Sequence, residues 1–197
     1  MPGYDLAAHV ERSRKGPCFI CAYLGGHPDY EHEPIYADDN VVAFLSRYST
    51  LLGYTIVAPR AHIVDVTGDR KLFRRVNDVV YDVAEALKVT LPTERVYLMS
   101  LGSHQGNAHV HWHVAPLPPG VPYERQQFHA VMAENGVLEV TREETGLTRD
   151  PTPIHTTVKR VGRGERRPAA AAGCRQARPR GRCDRRDRRR SRDAPGW

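Results

Sequence analysis

Between residues 17 and 120 the apolar positions switch between two periods. Val41 to Leu45 is a nearly continuous apolar run, which predicts a buried strand. Tyr54 to Ala58 predicts a second strand, closed by Pro59, and the loop from Ser46 to Gly53 lets the two pair antiparallel. Leu72, Val76, Val79, Val80, Val83, Ala84 and Leu87 follow helical spacing and predict a helix of roughly twenty residues. Arg95 to Met99 predicts a third strand, and Ala108 to Ala115 a fourth that ends at Pro116, Pro118 and Pro119. Two neighbouring strands, a helix and two more strands predict an α+β domain with an antiparallel sheet; helices are too few for a doubly wound fold. Outside this stretch, Leu6 and Val10 fall on one face of a short helix over 4–14. A further helix is expected from Glu124 to Asn135, stopped by Gly136, with a short extended segment at Val137 to Thr141.

Charge divides the chain. Residues 156–197 hold 15 of the 29 Lys+Arg and 4 of the 23 Asp+Glu, a local net of +11. That leaves a net of −5 for residues 1–155, so the overall +6 describes a tail and not the folded part. Residues 1–150 are expected to form one domain. The Arg/Ala/Pro-rich remainder, 151–197, has almost no large apolar side chains and is expected to stay disordered, because it cannot bury enough surface to offset its ordering entropy. Its run Arg185, Arg186, Arg188, Arg189 and Arg190 would bind nucleic acid only non-specifically, without aromatics to stack on bases. The same vocabulary arises when GC-rich DNA is read in a shifted frame. No stretch reaches the length of a membrane-spanning helix, and residues 1–15 lack the apolar core of a signal peptide. A soluble, cytoplasmic protein is expected. The cysteines form two local pairs, and in a reducing compartment Cys18/Cys21 suggests a metal site or a redox motif before a disulfide. Cys174/Cys183 has the wrong spacing for either.

The segment His109–Val110–His111–Trp112–His113–Val114 carries the most chemistry. On a strand, the three histidines project from one side, roughly 6.5–7 Å apart, while Val110, Trp112 and Val114 anchor the other side in the core. Imidazole is readily tuned near neutral pH and can attack phosphorus.

This run, followed by Val114–Ala115, resembles the signature of the histidine-triad (HIT) superfamily of nucleotide hydrolases and transferases. Cys18–Phe19–Ile20–Cys21 is similar to the CxxC opening of many members. Ile35–Tyr36–Ala37–Asp38–Asp39 with Val42–Ala43–Phe44 resembles a strand pair of the family, and Gly53 to His62 resembles its strand ending in P-K-x-H. The resemblance implies an antiparallel sheet of about five strands with flanking helices. It implies that His111 is the nucleophile, that His113 holds the α-phosphate, and that His109 orders the array. It also implies a structural zinc on Cys18, Cys21, His62 and His109, an S₂N₂ set suited to closed tetrahedral coordination. In the loop upstream, Gln105 and Asn107, with Ser103 behind them, are the candidate phosphate-binding residues. Where many members carry an acidic residue for the ribose hydroxyls, this chain reads Leu45–Ser46–Arg47. Arg47 either favours a more highly phosphorylated ligand or is a solvated loop residue. The expected function is hydrolysis or nucleotidyl transfer at the α-phosphate of a dinucleoside polyphosphate or nucleoside phosphoramidate. The competing reading is a non-catalytic nucleotide-binding module. Family members often pair as dimers, so a homodimer is the further partner the resemblance implies.

Overall fold

The computed structural model describes residues 5–102 and 105–138. Its five strands are β1 (Pro34–Ala37), β2 (Val41–Leu45), β3 (Thr55–Pro59), β4 (Arg95–Met99) and β5 (Trp112–Leu117). They form one sheet in the order β1-β2-β3-β5-β4, and every neighbouring pair is antiparallel. Helices α1 (Leu6–Lys15) and α2 (Phe19–Leu24) precede the sheet, and α3 (Arg70–Thr90) lies between β3 and β4. The α+β expectation, the five strands and the long helix all hold.

The apolar run of β2 is continuous because both faces of the sheet are covered. Val41, Ala43 and Leu45 pack on one side with Val76, Val79, Val80, Val83 and Leu87 of α3. Val42 and Phe44 point the other way, to Ile20 of α2 and to Ile56, Ala58 and Ala115. Each fully buried Val, Leu or Phe contributes about 1.5–3 kcal/mol, so these two layers hold the central strands firmly. Asp69 starts α3 by accepting from the Leu72 N–H at 3.0 Å. Gly53 turns the β2–β3 loop over the far end of α3. Its φ of +81° and the Leu87 Cδ2 that a Cβ would meet at 3.0 Å both call for glycine.

Two expectations are corrected. The strand expected over Ala108 to Ala115 begins only at Trp112 and runs through Pro116 to Leu117. β3 ends at Pro59, which has no N–H to give a neighbour, and the Val110 N–H bonds Ile63 O at 2.7 Å instead. At the other end, the last β3–β5 pair is Thr55↔Val114, so Pro116 pairs on one side only, with Val96 of β4. Proline is tolerated at such an edge. The helix expected from Glu124 to Asn135 is instead two 3-10 turns around a single helical turn, α4 (Phe128–Val131). Gln127 breaks it with a φ of +54°, and none of these turns has a buried residue. A helix without an apolar face to bury has little to hold it. Val137 and Leu138 form no strand; the rest of the expected 137–141 segment, and the tail, lie outside the described residues.

Asp38 ties the β1–β2 hairpin to α3. Its Oδ1 accepts from the N–H groups of Asn40 (2.8 Å) and Val41 (2.7 Å). Its Oδ2 accepts from Tyr36 at 2.7 Å and from the Arg75 guanidinium at 2.5 Å. Burial alone would raise this carboxyl, but the hydrogen bonds from Arg75, Tyr36 and the two backbone amides outweigh it and hold Asp38 at about 2. A depressed carboxyl contributes stability that is fully present above its ordinary range and lost as pH falls through about 2. In thermal melts between pH 5 and 2, the wild type should therefore lose its advantage over Asp38→Asn as pH falls. A gap that stays constant over that range would show that the ion pair adds nothing.

Candidate functional site

The side chains of residues 109–114 keep strand-like alternation although the ladder starts only at Trp112. On one side, the Trp112 ring lies 5.6 Å from Phe73 of α3, and Val114 sits in the α3-facing core. On the other side, His109 reaches the cysteines of α2 and His111 lies edge-on to Phe19 at 5.2 Å. The rings of His111 and His113 are 4.8 Å apart.

Two backbone carbonyls fix the tautomers. Pro59 O accepts from His109 Nε2 at 2.9 Å, so His109 Nδ1 carries the free lone pair. His109 O in turn accepts from His111 Nδ1 at 2.6 Å, which leaves the lone pair of His111 on Nε2. His109 and His111 are 0% and 2% exposed. Burial, then the nearby His62 and His111, pulls His109 down to about 4. Burial likewise lowers His111, against the pull of its bond to the His109 carbonyl. Burial, then His111, brings His113 to about 3. All three imidazoles are thus neutral near pH 7, as a nitrogen nucleophile or a metal ligand must be.

The Nδ1 atoms of His109 and His62 converge on α2. Cys18 Sγ lies 3.5 Å and Cys21 Sγ 3.6 Å from His109 Nδ1, and Cys21 Sγ is 3.2 Å from His62 Nδ1. The four ligand atoms all lie within 4.8 Å of one another. The edges of a tetrahedral zinc site with two sulfurs and two nitrogens measure about 3.3–3.8 Å, so the cluster fits one with little adjustment. The bond from His109 Nε2 to Pro59 O is the outer contact that aims a ligating histidine. Burial, then the Cys18 thiol beside it, pushes Cys21 up to about 11, far too high for a redox thiolate near neutral pH. A cation between the thiols is what would deprotonate them.

His111 and His113 line a cavity of about 620 Å³ with Phe19, His32, Phe44, Tyr54 and Ile56. Asn107 lines it too, from the 3-10 turn Gln105–Asn107. Gln105 lies on the same turn, and Ser103 falls outside the described residues. Sequence reading missed the wall contributed by α1, where His9, Arg12 and Ser13 face the cavity, and Tyr48 beside it; Arg47, weighed there for a more highly phosphorylated ligand, lines the cavity as well. The polar residues at i, i+3 and i+4 of α1 are the signal that was there to be read. α1 comes this close because of Gly106, where a Cβ would lie 2.9 Å from the carbonyl oxygens of both Arg12 and Ser13.

Residues 28–119 match the family model described as HIT domain. The chain is 28% identical over 111 residues to an uncharacterised HIT-like protein of Mycoplasma genitalium, covering 54% of this chain and 77% of that one. A hypothetical histidine triad nucleotide-binding protein from Sulfolobus tokodaii superposes with a TM-score of 0.58 at 21% identity, over 74% of this chain and 95% of that chain. A Zn-bound histidine triad family protein from Mycobacterium smegmatis gives 0.57 at 22% identity, over 75% and 96%. At these identities the two structures show a shared fold. Among the described residues no helix is long and apolar enough to cross a membrane.

Because the atoms that a Cβ on Gly106 would strike are backbone, side-chain rotation cannot relieve the clash. Gly106→Ala should push α1 off the turn at a cost of about 1–3 kcal/mol. Limited proteolysis of the variant should then cut within residues 5–16 well before the wild type is cut; equal cleavage rates would mean that α1 does not depend on this contact.

Proposed function

We propose that the chain is a nucleotide hydrolase or nucleotidyl transferase that works at the α-phosphate through a nucleotidyl-histidine intermediate on His111. The observation that carries this reading is the 2.6 Å bond from His111 Nδ1 to His109 O, which leaves a lone pair on Nε2 of a neutral imidazole beside a cavity of nucleotide size. In the first step Nε2 forms a bond to the α-phosphorus as the bond from phosphorus to the leaving group breaks, and the leaving group takes a proton from solvent, to which the attacking water or acceptor phosphate returns one in the second step. In the second, water or an acceptor phosphate attacks the same phosphorus, the P–N bond breaks, and neutral His111 returns. The His109 carbonyl stabilises the imidazolium character that develops at Nδ1 in between. His113 and the 105–107 turn are assigned to the phosphate oxygens. The substrate class is a nucleotide with a good leaving group on its α-phosphate, a dinucleoside polyphosphate or a nucleoside phosphoramidate.

Cys18, Cys21, His62 and His109 are assigned to a structural zinc. Bound there, the metal would pin α2 and the β3–α3 loop against His109. The His111 bond to the carbonyl of the same residue would then be braced through the backbone. The Zn-bound M. smegmatis protein of the same fold supports the assignment.

Adenosine 5′-phosphoramidate, a diadenosine polyphosphate, and ADP-linked sugars with free phosphate should be run side by side on wild type and His111→Ala. Turnover of one class should fall by about 10³-fold or more in the variant, with nucleotide still bound. Full activity in the variant would remove His111 as nucleophile. Silence of the wild type across the panel, with nucleotide bound, would favour a non-catalytic binding module. Elemental analysis should find about one zinc per chain, reduced in Cys18→Ser, and stripping it should lower the melting temperature. A wild type that takes up no zinc would end the metal assignment.

A further inference from the structure

We propose that Arg12, Arg47 and Tyr48 form a subsite for a second phosphate, so that the cavity takes nucleotides carrying two separately held phosphate groups. The proposal rests on the nucleotide reading of His111 and names which part of the ligand the outer wall recognises.

Arg12 comes from α1 and Arg47 from the loop after β2, yet both line the same cavity as His111 and His113. Their guanidinium carbons lie 5.9 and 6.0 Å from the centre of the Tyr48 ring. Arg12 donates to the Tyr48 hydroxyl at 3.1 Å, and Arg47 to the Asp29 carbonyl oxygen at 3.1 Å, both neutral acceptors. Among the described residues no carboxylate comes within 4.0 Å of either guanidinium. Asp29 also lines the cavity, but its carboxylate is turned to His27, 4.0 Å away, and its side chain is 85% exposed. Two like charges gathered on one tyrosine repel each other, and residues 1–155, with a net of −5, hold many carboxylates that could have neutralised them. The convergence is favourable once an anion sits between.

Among the described residues that line the cavity, Arg12 and Arg47 are the two whose side chains are positive at any pH near neutrality, and both sit at its outer wall. Two guanidinium forks and a phenol hydroxyl are donors matched to phosphate oxygens, and the side chains are exposed enough to turn toward a ligand. Arg12 lies outside the HIT-domain match at 28–119, so this half of the subsite is added to the domain by the preceding helix.

The second phosphate can be an ester on the sugar or the next phosphate along the 5′ chain, and the ligand panel separates the two. Calorimetric titration of the full chain with AMP, adenosine 3′,5′-bisphosphate and the α,β-methylene analogue of ADP gives three dissociation constants. At low salt, one of the two bisphosphorylated ligands should bind about tenfold tighter than AMP, with the gain shrinking as salt rises. The probe that shows the gain identifies the source. In Arg12→Gln/Arg47→Gln, the ratio of its constant to that of AMP should fall to near one. AMP binding with no gain from either probe, or a gain that survives the double substitution, overturns the subsite and leaves the nucleotide reading standing. Failure of all three ligands to bind wild type overturns both.

Discussion

Pro59 closes β3 with a carbonyl and no N–H, and the side chain of His109 takes that carbonyl at 2.9 Å. Much of the site follows from this substitution of a side chain for a ladder bond. With Nε2 committed, His109 presents Nδ1 to the two cysteines and to His62. With the strand not yet paired at this point, the His109 carbonyl turns to His111 and commits its Nδ1, freeing the opposite nitrogen. Two histidines two residues apart thus carry opposite tautomers, one suited to a metal and the other to an electrophile. Had β3 ended in a residue with a free N–H, a regular β3–β5 ladder could have run two residues further, leaving neither tautomer specified by the backbone.

Burial makes these tautomers matter. A buried polar atom with no partner costs about 1–3 kcal/mol, so a flipped ring at His109 or His111 would lose the close backbone acceptor it now has and be driven back. The same burial that lowers the imidazoles removes competing water from around them, which strengthens the field that a backbone carbonyl exerts on a developing imidazolium. His113 differs, because its Nδ1 is buried without a partner among the described residues. Nothing in the protein pins its tautomer as firmly, which suits a group whose partner is a ligand.

What the sequence made legible and what it hid follow from the same physics. β2, β3, β4 and α3 could be read because burial writes a local period, continuous for strands covered on two faces and 3.6 for the helix that covers one of them. The start of β5 could not, since alternation of His and Val looks the same whether or not a neighbour supplies hydrogen bonds, and the neighbour's deficit lies at Pro59. The segment after Tyr123 misled for the opposite reason. Its residues tolerate a helix, but Tyr123 and Phe128 are 82% and 69% exposed, so no packing rewards one. Of the site, the histidine run and the Cys18/Cys21 pair were visible as patterns, and His62 only through resemblance. The α1 wall was hidden because its cause, Gly106, is a missing side chain far along the chain.

The cavity is therefore a composite. Its reactive end is built from the sheet and fixed by backbone carbonyls, while its outer wall is assembled from α1 and the β2–β3 loop, held by surface contacts such as the one from Arg12 to Tyr48. The two ends also differ in charge, with neutral imidazoles within and guanidiniums at the rim. A patch of only two guanidiniums acts over short range, because salt screens its field within about a Debye length of 10 Å. Such a rim does not gather polyanions from a distance as a basic surface would. It discriminates among ligands already in the cavity, by whether they bring negative charge to that one place.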